Sequence, residues 1–455
     1  MKKPVPNQNE SPFGFHEFFF STTNKRGVIR FGNDVFVRVS VYPKEQMIGA
    51  PHSIIRHPDV PRSVFKIFWD ALKSDKAIGA YVKNLAGNGS YYWVFAFAFP
   101  IEDGYLSIRF KPSSAIFKVV QDVYAEVRTF EESNDDLESS EQLLVRKIRE
   151  RGFRDYDDFM VQAVLAELTS RAEHDRDSSN GLSLNQVGAF KQIAETTNAT
   201  LSQLNDIFGR VRGFQESNKI LITTIESLDA GFRNLSFISI NMTVAAAKFG
   251  NLAVSLGVVS KEFSALSRQI EDNLNGLATF GRNLGEVIQQ CTLRISALNS
   301  LMLMVDFFVK ESVLKSQSSE NAFSEMTSNR KDFSQLFHDY ATNLKAEVTE
   351  LDKHLSGIEA AVDETAKFLT GLEVIRQIGA IESARVEEVK HAFLHYLDEM
   401  AGFIQLVRQA TTDVSHEVQS LKQSSHFIDS AIDTISGNVD KIFDLASTER
   451  GSGNT

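Results

Sequence analysis

From Leu201 onward the apolar residues recur in alternating steps of three and four, beginning Leu201, Leu204, Phe208, Val211, Phe214 and continuing through Leu221, Ile225, Leu228, Phe232 and Leu235. Residues spaced this way share one stripe of an α-helix that needs a partner stripe, which dictates long helices packed side by side. Further stripes run from Ile270 to Val305, Leu344 to Leu372 and Val407 to Ile442. The helices that carry them are expected to run roughly 40 to 60 residues, about 60 to 90 Å at 1.5 Å per residue. Asn218 falls in a seam, where a polar side chain can fix register, and the single cysteine, Cys291, reads as a seam residue rather than a reactive thiol.

Ahead of residue 114 the period is shorter. Residues 17–23 and 27–31 read as strands around an Asn-Lys-Arg-Gly turn, and Asn33-Asp34 reads as a helix cap before Val35, Phe36 and Val39. A Pro- and Gly-punctuated excursion then reaches Arg56-His57-Pro58-Asp59. Residues 61–74 form a helix pattern with Val64, Phe65, Phe68, Trp69 and Leu72 on one face. Strands 78–85 and 91–99 are joined across Gly87-Asn88-Gly89, and a last strand runs over 105–111. The expected fold class is therefore α+β: an antiparallel sheet with short helices, then a long all-α antiparallel coiled coil or four-helix bundle. The expected segments are a disordered tail (1–15), a sensor-type domain (16–113), a helical connector with an acidic linker at 130–142 (114–180), two helical hairpins (181–312 and 313–447) and a tail (448–455). The hairpins are expected to join near 316–321, and 175–183 reads as a linker.

Composition narrows the function classes. With 48 Lys and Arg against 59 Asp and Glu, the net charge of -11 argues against nucleic acid as a partner. One cysteine excludes an internal disulfide framework and fits a reducing compartment. The N-terminus lacks the apolar run of a secretory signal, and no window approaches the ~20 apolar residues of a spanning helix. A cytoplasmic protein is expected. No phosphate-cradling glycine motif and no metal-ligand spacing is visible, so neither a catalytic residue nor a metal site is expected. Ser415-His416-Glu417 resembles the opening of a histidine-kinase phosphoacceptor box, but the Val-Gln-Ser-Leu that follows lacks its Arg-Thr-Pro.

The order cap, excursion, Arg-His-Pro-Asp knot, helix and hairpin resembles the PAS domain of bacterial energy-taxis (aerotaxis) receptors over about residues 20 to 113. That resemblance implies a bound flavin dinucleotide (FAD), with Asn33, Arg56, His57, Asp59 and Asn84 lining the pocket and Trp69 and Trp93 nearby. Ile78 stands where that family carries a tryptophan. Residues 238–262 resemble the hairpin tip of methyl-accepting chemoreceptor signalling domains. Asn241 matches the tip asparagine there, Lys248 replaces an arginine and Ala245 replaces a glutamate. Residues 378–400 echo the same tip, keeping Glu382 and Arg385. One chain supplying two hairpins can fold the bundle by itself, with both degenerate tips at one end.

The function expected from this resemblance is a soluble, non-enzymatic sensor of chemotaxis signalling that couples a redox or small-ligand signal to a receptor-like bundle. Expected partners are further copies of the chain, and receptors, a histidine kinase or its adaptor at Asn241, Lys248, Glu382 and Arg385. The alternative is a structural adaptor whose PAS domain serves dimerisation and holds no ligand.

Overall fold

The computed structural model describes residues 3–177, 189–250, 254–316, 330–385 and 387–452. Of the linker expected over 175–183, residues 178–183 lie outside them and 175–177 are helical instead. Residues 317–321 of the hairpin junction expected near 316–321 and residues 251–253 of the first tip also lie outside them. The chain forms two compact units. The first comprises residues 1–208, 292–343 and 432–455, and the second comprises residues 209–291 and 344–431.

In the first unit, five antiparallel strands make one sheet: β1 (Phe18–Asn24), β2 (Ile29–Gly32), β3 (Ile78–Leu85), β4 (Tyr91–Ile101) and β5 (Gly104–Phe110), in the order β2-β1-β5-β4-β3. Strand alternation gives the sheet two unlike faces. Phe95, Phe97 and Phe99 of β4 lie on one face with Tyr81, Phe110, Phe18 and Phe20. Ala96 and Ala98 lie on the other with Ser21, Thr23, Ala80, Val82 and Ser107, and these small side chains leave room above them.

Over the small-residue face lie α1 (Asp34–Ser40), α2 (Lys44–Met47), a 3₁₀ turn (His52–Ile55) and α3 (Arg62–Lys73). Asn33 caps α1: its Oδ1 accepts from Phe36 N at 3.2 Å and Phe20 N at 3.0 Å, and its Nδ2 donates to Phe18 O at 2.9 Å. Gly27 turns β1 into β2 at φ +74, and a Cβ there would meet Trp69 at 2.8 Å, so only glycine suits the turn.

Three further helices follow: α4 (Ala115–Ser133), α5 (Leu137–Glu150) and α6 (Tyr156–Asp177). The acidic link expected at 130–142 is instead mostly helix, because its acids are consumed as caps. Asp136 caps α5, accepting from Glu138 N at 3.1 Å. Glu131 is buried at the N-terminus of α3, where it accepts from Arg62 N at 3.0 Å and Ser63 N at 3.2 Å. Pro61, which precedes α3, has no side chain able to do this. Glu167 of α6 does the same for α4, accepting from Ser113 N at 2.7 Å and Ser114 N at 3.2 Å, and it also binds the Tyr81 hydroxyl at 2.8 Å.

The expected disordered tail is also ordered over its described part. Asn7 N donates to Gly89 O, Tyr91 N to Asn9 O and Ser11 N to Tyr91 O, while Phe13 is buried against Phe19. The open edge at the start of β4 offers these backbone groups partners that a polar segment can use.

Long helices make up the rest: α7 (Ala189–Phe249), α8 (Val254–Ser316), α9 (Arg330–Ser383) and α10 (Glu387–Ser452), of 61, 63, 54 and 66 residues. Three of the four exceed the 40 to 60 residues expected, α9 falls within that range, and α10 runs through the segment expected as a tail from 448. In the first unit α8 and α9 meet the aromatic face of the sheet: Phe18 packs on Phe307, Phe20 on Phe308 and Phe333, and Phe99 on Tyr340.

The second unit is a bundle in which the two hairpins share an interface. Asn273 Nδ2 of α8 donates to Ala361 O of α9 at 2.7 Å and to Thr365 Oγ1 at 2.8 Å. Lys422 of α10 pairs with Glu359 of α9 at 2.5 Å, and Arg210 of α7 lies 4.0 Å over the Phe427 ring of α10. Leu228, Leu355 and Cys291 are fully buried in the seams. Asn218 faces Gly285. The side chains of Phe232 and Leu235 lie outside the described residues.

Among the described residues one helix, Val254–Ser312, is long and apolar enough to cross a membrane by length and composition, although 78% of its apolar window is buried in the structure. This differs from the sequence expectation, which sought uninterrupted apolar runs. Here few charges, rather than continuous apolarity, produce the high hydropathy.

Candidate ligand-binding site

Between the small-residue face of the sheet and α3 lies a cavity of about 210 Å³. Its floor is built by alternation: Ala80, Val82 and Asn84 from β3, Ala96 and Ala98 from β4, Ser107 and Arg109 from β5, Ser21 and Thr23 from β1. α3 closes it with Val64, Phe65, Phe68, Trp69 and Leu72, the apolar face read from the sequence. Tyr105 adds an aromatic wall against Trp69, with ring centroids 5.7 Å apart. Arg26, His52 and Arg56 also line it, and the lining contains no carboxylate.

Of the five residues expected to line a pocket, two do. Arg56 and Asn84 face each other across an isolated β-bridge, and both border the cavity. The Arg56 guanidinium lies 3.6 Å over the Phe65 ring, and its Nε is buried without a partner. The other three are placed elsewhere. Asn33 spends its amide on the α1 cap and β1. The buried His57 ring accepts from Asp59 N through Nδ1 at 3.2 Å, and Asp59 is exposed and paired with Lys83 at 2.6 Å. Burial holds the His57 imidazole below its usual pKa; Asp59 opposes that shift and Lys83 adds to it. These residues shape the loop that carries Arg56.

Trp69 borders the cavity. Trp93 does not, lying on the opposite face against Phe117 with centroids 5.2 Å apart. Ile78 is buried on β3 outside the lining, so the aromatic walls come from α3 and Tyr105.

Sequence reading missed the most unusual residue of the site. Arg109 is 4% exposed. Its Nη2 lies 3.0 Å from Ser21 Oγ and 2.7 Å from His52 Nε2, and its Nη1 has no partner. Burial pulls its pKa down to about 10. Burial also holds His52 well below the usual imidazole range, reinforced by Arg109 and Arg56, so His52 is neutral and Nε2 accepts from the guanidinium. The signal was present in Tyr105-Ser107-Arg109, a polar alternation that reads as a solvated strand face until α3 is laid over it.

The donor set fits a flat heteroaromatic group such as a flavin ring. Thr23 Oγ1, Ser107 Oγ, Arg56 Nε and Arg109 Nη1 are all buried without partners at the lining, beside aromatic walls. The volume suits a ring system rather than a whole dinucleotide, since drug-sized ligands occupy about 300–1,000 Å³.

In the second unit, the two stretches that resemble receptor tips both fall where one long helix ends and the next begins. Asn241 and Lys248 are exposed on the last turns of α7, and Glu382 pairs with Arg385 at 3.1 Å where α9 ends. Gly379 lies against both Val259 and Leu397, so the turns occupy the same end of that unit. Several apolar side chains near them are exposed, among them Phe237, Ile240, Val244, Ile378 and Ile381. Among the described residues no cluster of three or more His, Cys, Asp or Glu could hold a metal ion.

A sheet of this order with short helices enclosing a cavity on one face is a PAS domain, and the PAS fold family matches residues 29–107. The aerotaxis receptor of Escherichia coli (strain K12) is 35% identical over 126 residues, which cover 27% of this chain and 25% of that protein. The chain thus spans about a quarter of the length of the relative it matches.

Proposed function

We propose that this chain is a non-enzymatic, cytoplasmic PAS sensor of chemotaxis-type signalling, in which a flavin held in the PAS cavity biases the long helices. The observation that carries this reading is the cavity beneath α3, lined by arginines and aromatic rings without a carboxylate, in a domain similar to that of an aerotaxis receptor. Arg56 and Asn84 would hold polar edges of the ring, with Phe65, Phe68, Trp69 and Tyr105 around it and α3 excluding water. When bound, the flavin supplies reversible electron transfer. Any change at the cavity reaches β1, whose other face packs on α8 and α9.

The partners in this reading are further copies of the chain, together with receptors, a histidine kinase or its adaptor. These would meet Asn241, Lys248, Glu382 and Arg385 near the helix turns. The exposed apolar residues there support a contact surface, since Phe237 is 65% and Ile381 62% exposed.

A visible absorption spectrum of freshly purified protein tests the cofactor. A flavin band is expected, and Arg56→Ala should weaken retention roughly ten- to hundredfold, the loss of a charge-assisted contact of about 1.5–3 kcal/mol. Protein that stays colourless with excess flavin dinucleotide would overturn the flavin and favour the adaptor reading, in which the PAS domain serves dimerisation.

A further inference from the structure

Arg109 is not explained by the residues around it. Among the described residues no carboxylate pairs with it, and the cavity lining holds neither Asp nor Glu. Its neighbours are neutral: Ser21 Oγ, His52 Nε2 and the Phe36 ring, 5.2 Å from Cζ. A buried cation without a counterion is costly, and such groups persist where a partner completes them. On the same floor Ser107 Oγ and Thr23 Oγ1 are buried, unpartnered hydroxyls. One Arg109 nitrogen and two hydroxyls therefore remain unused on this floor of the cavity.

We propose that Arg109, Ser107 and Thr23 form an anion subsite on the floor of the PAS cavity, which takes the negatively charged edge of a flat aromatic ligand, a carboxylate or a deprotonated ring imide. The subsite rests on the reading that the cavity binds a ligand, but not on that ligand being a flavin. His52 and Ser21 hold the guanidinium through Nη2, which leaves Nη1 for the anion. A guanidinium is suited to this task because its planar donors match a carboxylate or imide edge. The flat shape follows from the walls, where Phe65, Phe68, Trp69 and Tyr105 line a space of about 210 Å³.

The test uses two probes of one shape, 2-naphthoate and its neutral amide, 2-naphthamide. They are titrated into full-length protein that shows no visible chromophore and carries Trp93→Phe. The chain has two tryptophans, so Trp69, at the cavity, then reports alone. Naphthoate is expected to bind at least tenfold more tightly than naphthamide. Arg109→Gln should abolish that preference, and Arg109→Lys should keep part of it. Where Arg109→Gln fails to fold by circular dichroism, Ser107→Ala with Thr23→Val serves instead, with naphthoate weakened at least threefold and naphthamide unchanged. Equal affinity for the two probes, no binding of either, or a preference that survives loss of these groups would overturn the proposal. The flavin reading fails separately. Colourless protein with the charge preference keeps the subsite and loses the flavin, while flavin-loaded protein whose affinity ignores Arg109→Gln does the reverse.

Discussion

Phe20 of β1 stacks on Phe333 of α9, with ring centroids 5.1 Å apart and planes 29° from parallel. The next residue along the strand, Ser21, receives Arg109 from the cavity side. Strand alternation thus makes β1 a joint, with the ligand cavity on one face and the long helices of the same unit on the other. Phe20→Ala removes contacts to both Phe308 and Phe333, and a loss of roughly 3–5 kcal/mol in denaturant unfolding is expected. A loss below about 1 kcal/mol would show that β1 does not couple the sheet to these helices through packing.

Acid should weaken the PAS unit in two steps. Burial alone would raise the Glu131 carboxyl, but donation from Ser140, the Arg62 amide, Arg128 and the Ser63 amide holds it below the usual range. A carboxylate lowered in the folded state contributes stability above its unfolded pKa, about 4.3, and loses it as pH falls. His52 is also depressed, by burial first and then by Arg109 and Arg56, so its contribution starts to fall below about pH 6.5. Thermal melts from pH 7 down to 3 should show both limbs. Glu131→Gln should cost about 1–3 kcal/mol at pH 7 and converge with wild type in acid. His52→Gln, which keeps an acceptor for Arg109, should flatten the limb that begins near neutrality. Parallel curves for wild type and both variants would remove these two groups from the acid response.

Local patterns were legible in the sequence, and tertiary substitutions were not. The strand over 91–99 and the four long helices were legible because strand alternation and heptad stripes are periodic, short-range signals. The Asn33 cap was legible as a cap, but that same duty consumes the side chain and keeps it from the cavity. Glu131 and Glu167 were illegible because each caps a helix far away in sequence. Arg109 was hidden because a polar residue alternating on a strand ordinarily means solvent. Its burial appears only once α3 covers that face.

The seams of the second unit can be tested by single polar substitutions. Leu228 and Leu355 lie on different hairpins and both are fully buried. Leu→Asn at either should destabilise by at least the 2–5 kcal/mol typical of Leu→Ala, and helical circular dichroism should melt earlier. Asn273→Ala removes the side-chain bonds from α8 to Ala361 and Thr365 of α9, with an expected loss of about 1 kcal/mol. Unchanged melting in all three would count against the two hairpins sharing one core.

The cavity itself can be filled from its floor. Ala98 and its neighbour on the same face, Ala96, are buried and border the open space, and β4 there is hydrogen-bonded on both sides. Enlarging a side chain in a packed core costs about 1–3 kcal/mol through strain, but here about 210 Å³ lies above the strand to receive it. Ala98→Leu should therefore leave the melting temperature unchanged or slightly raised, because added apolar surface is buried without displacing α3. The same side chain would occupy the space in front of Ser107, its direct partner across β4 and β5, so ligand binding should fall at least tenfold. Thermal melts and a titration read by Trp69 fluorescence measure both effects on one sample. A strong loss of stability would mean that the space is smaller than its walls indicate. Unaltered binding would place the ligand away from β4, nearer Arg56 and the 3₁₀ turn.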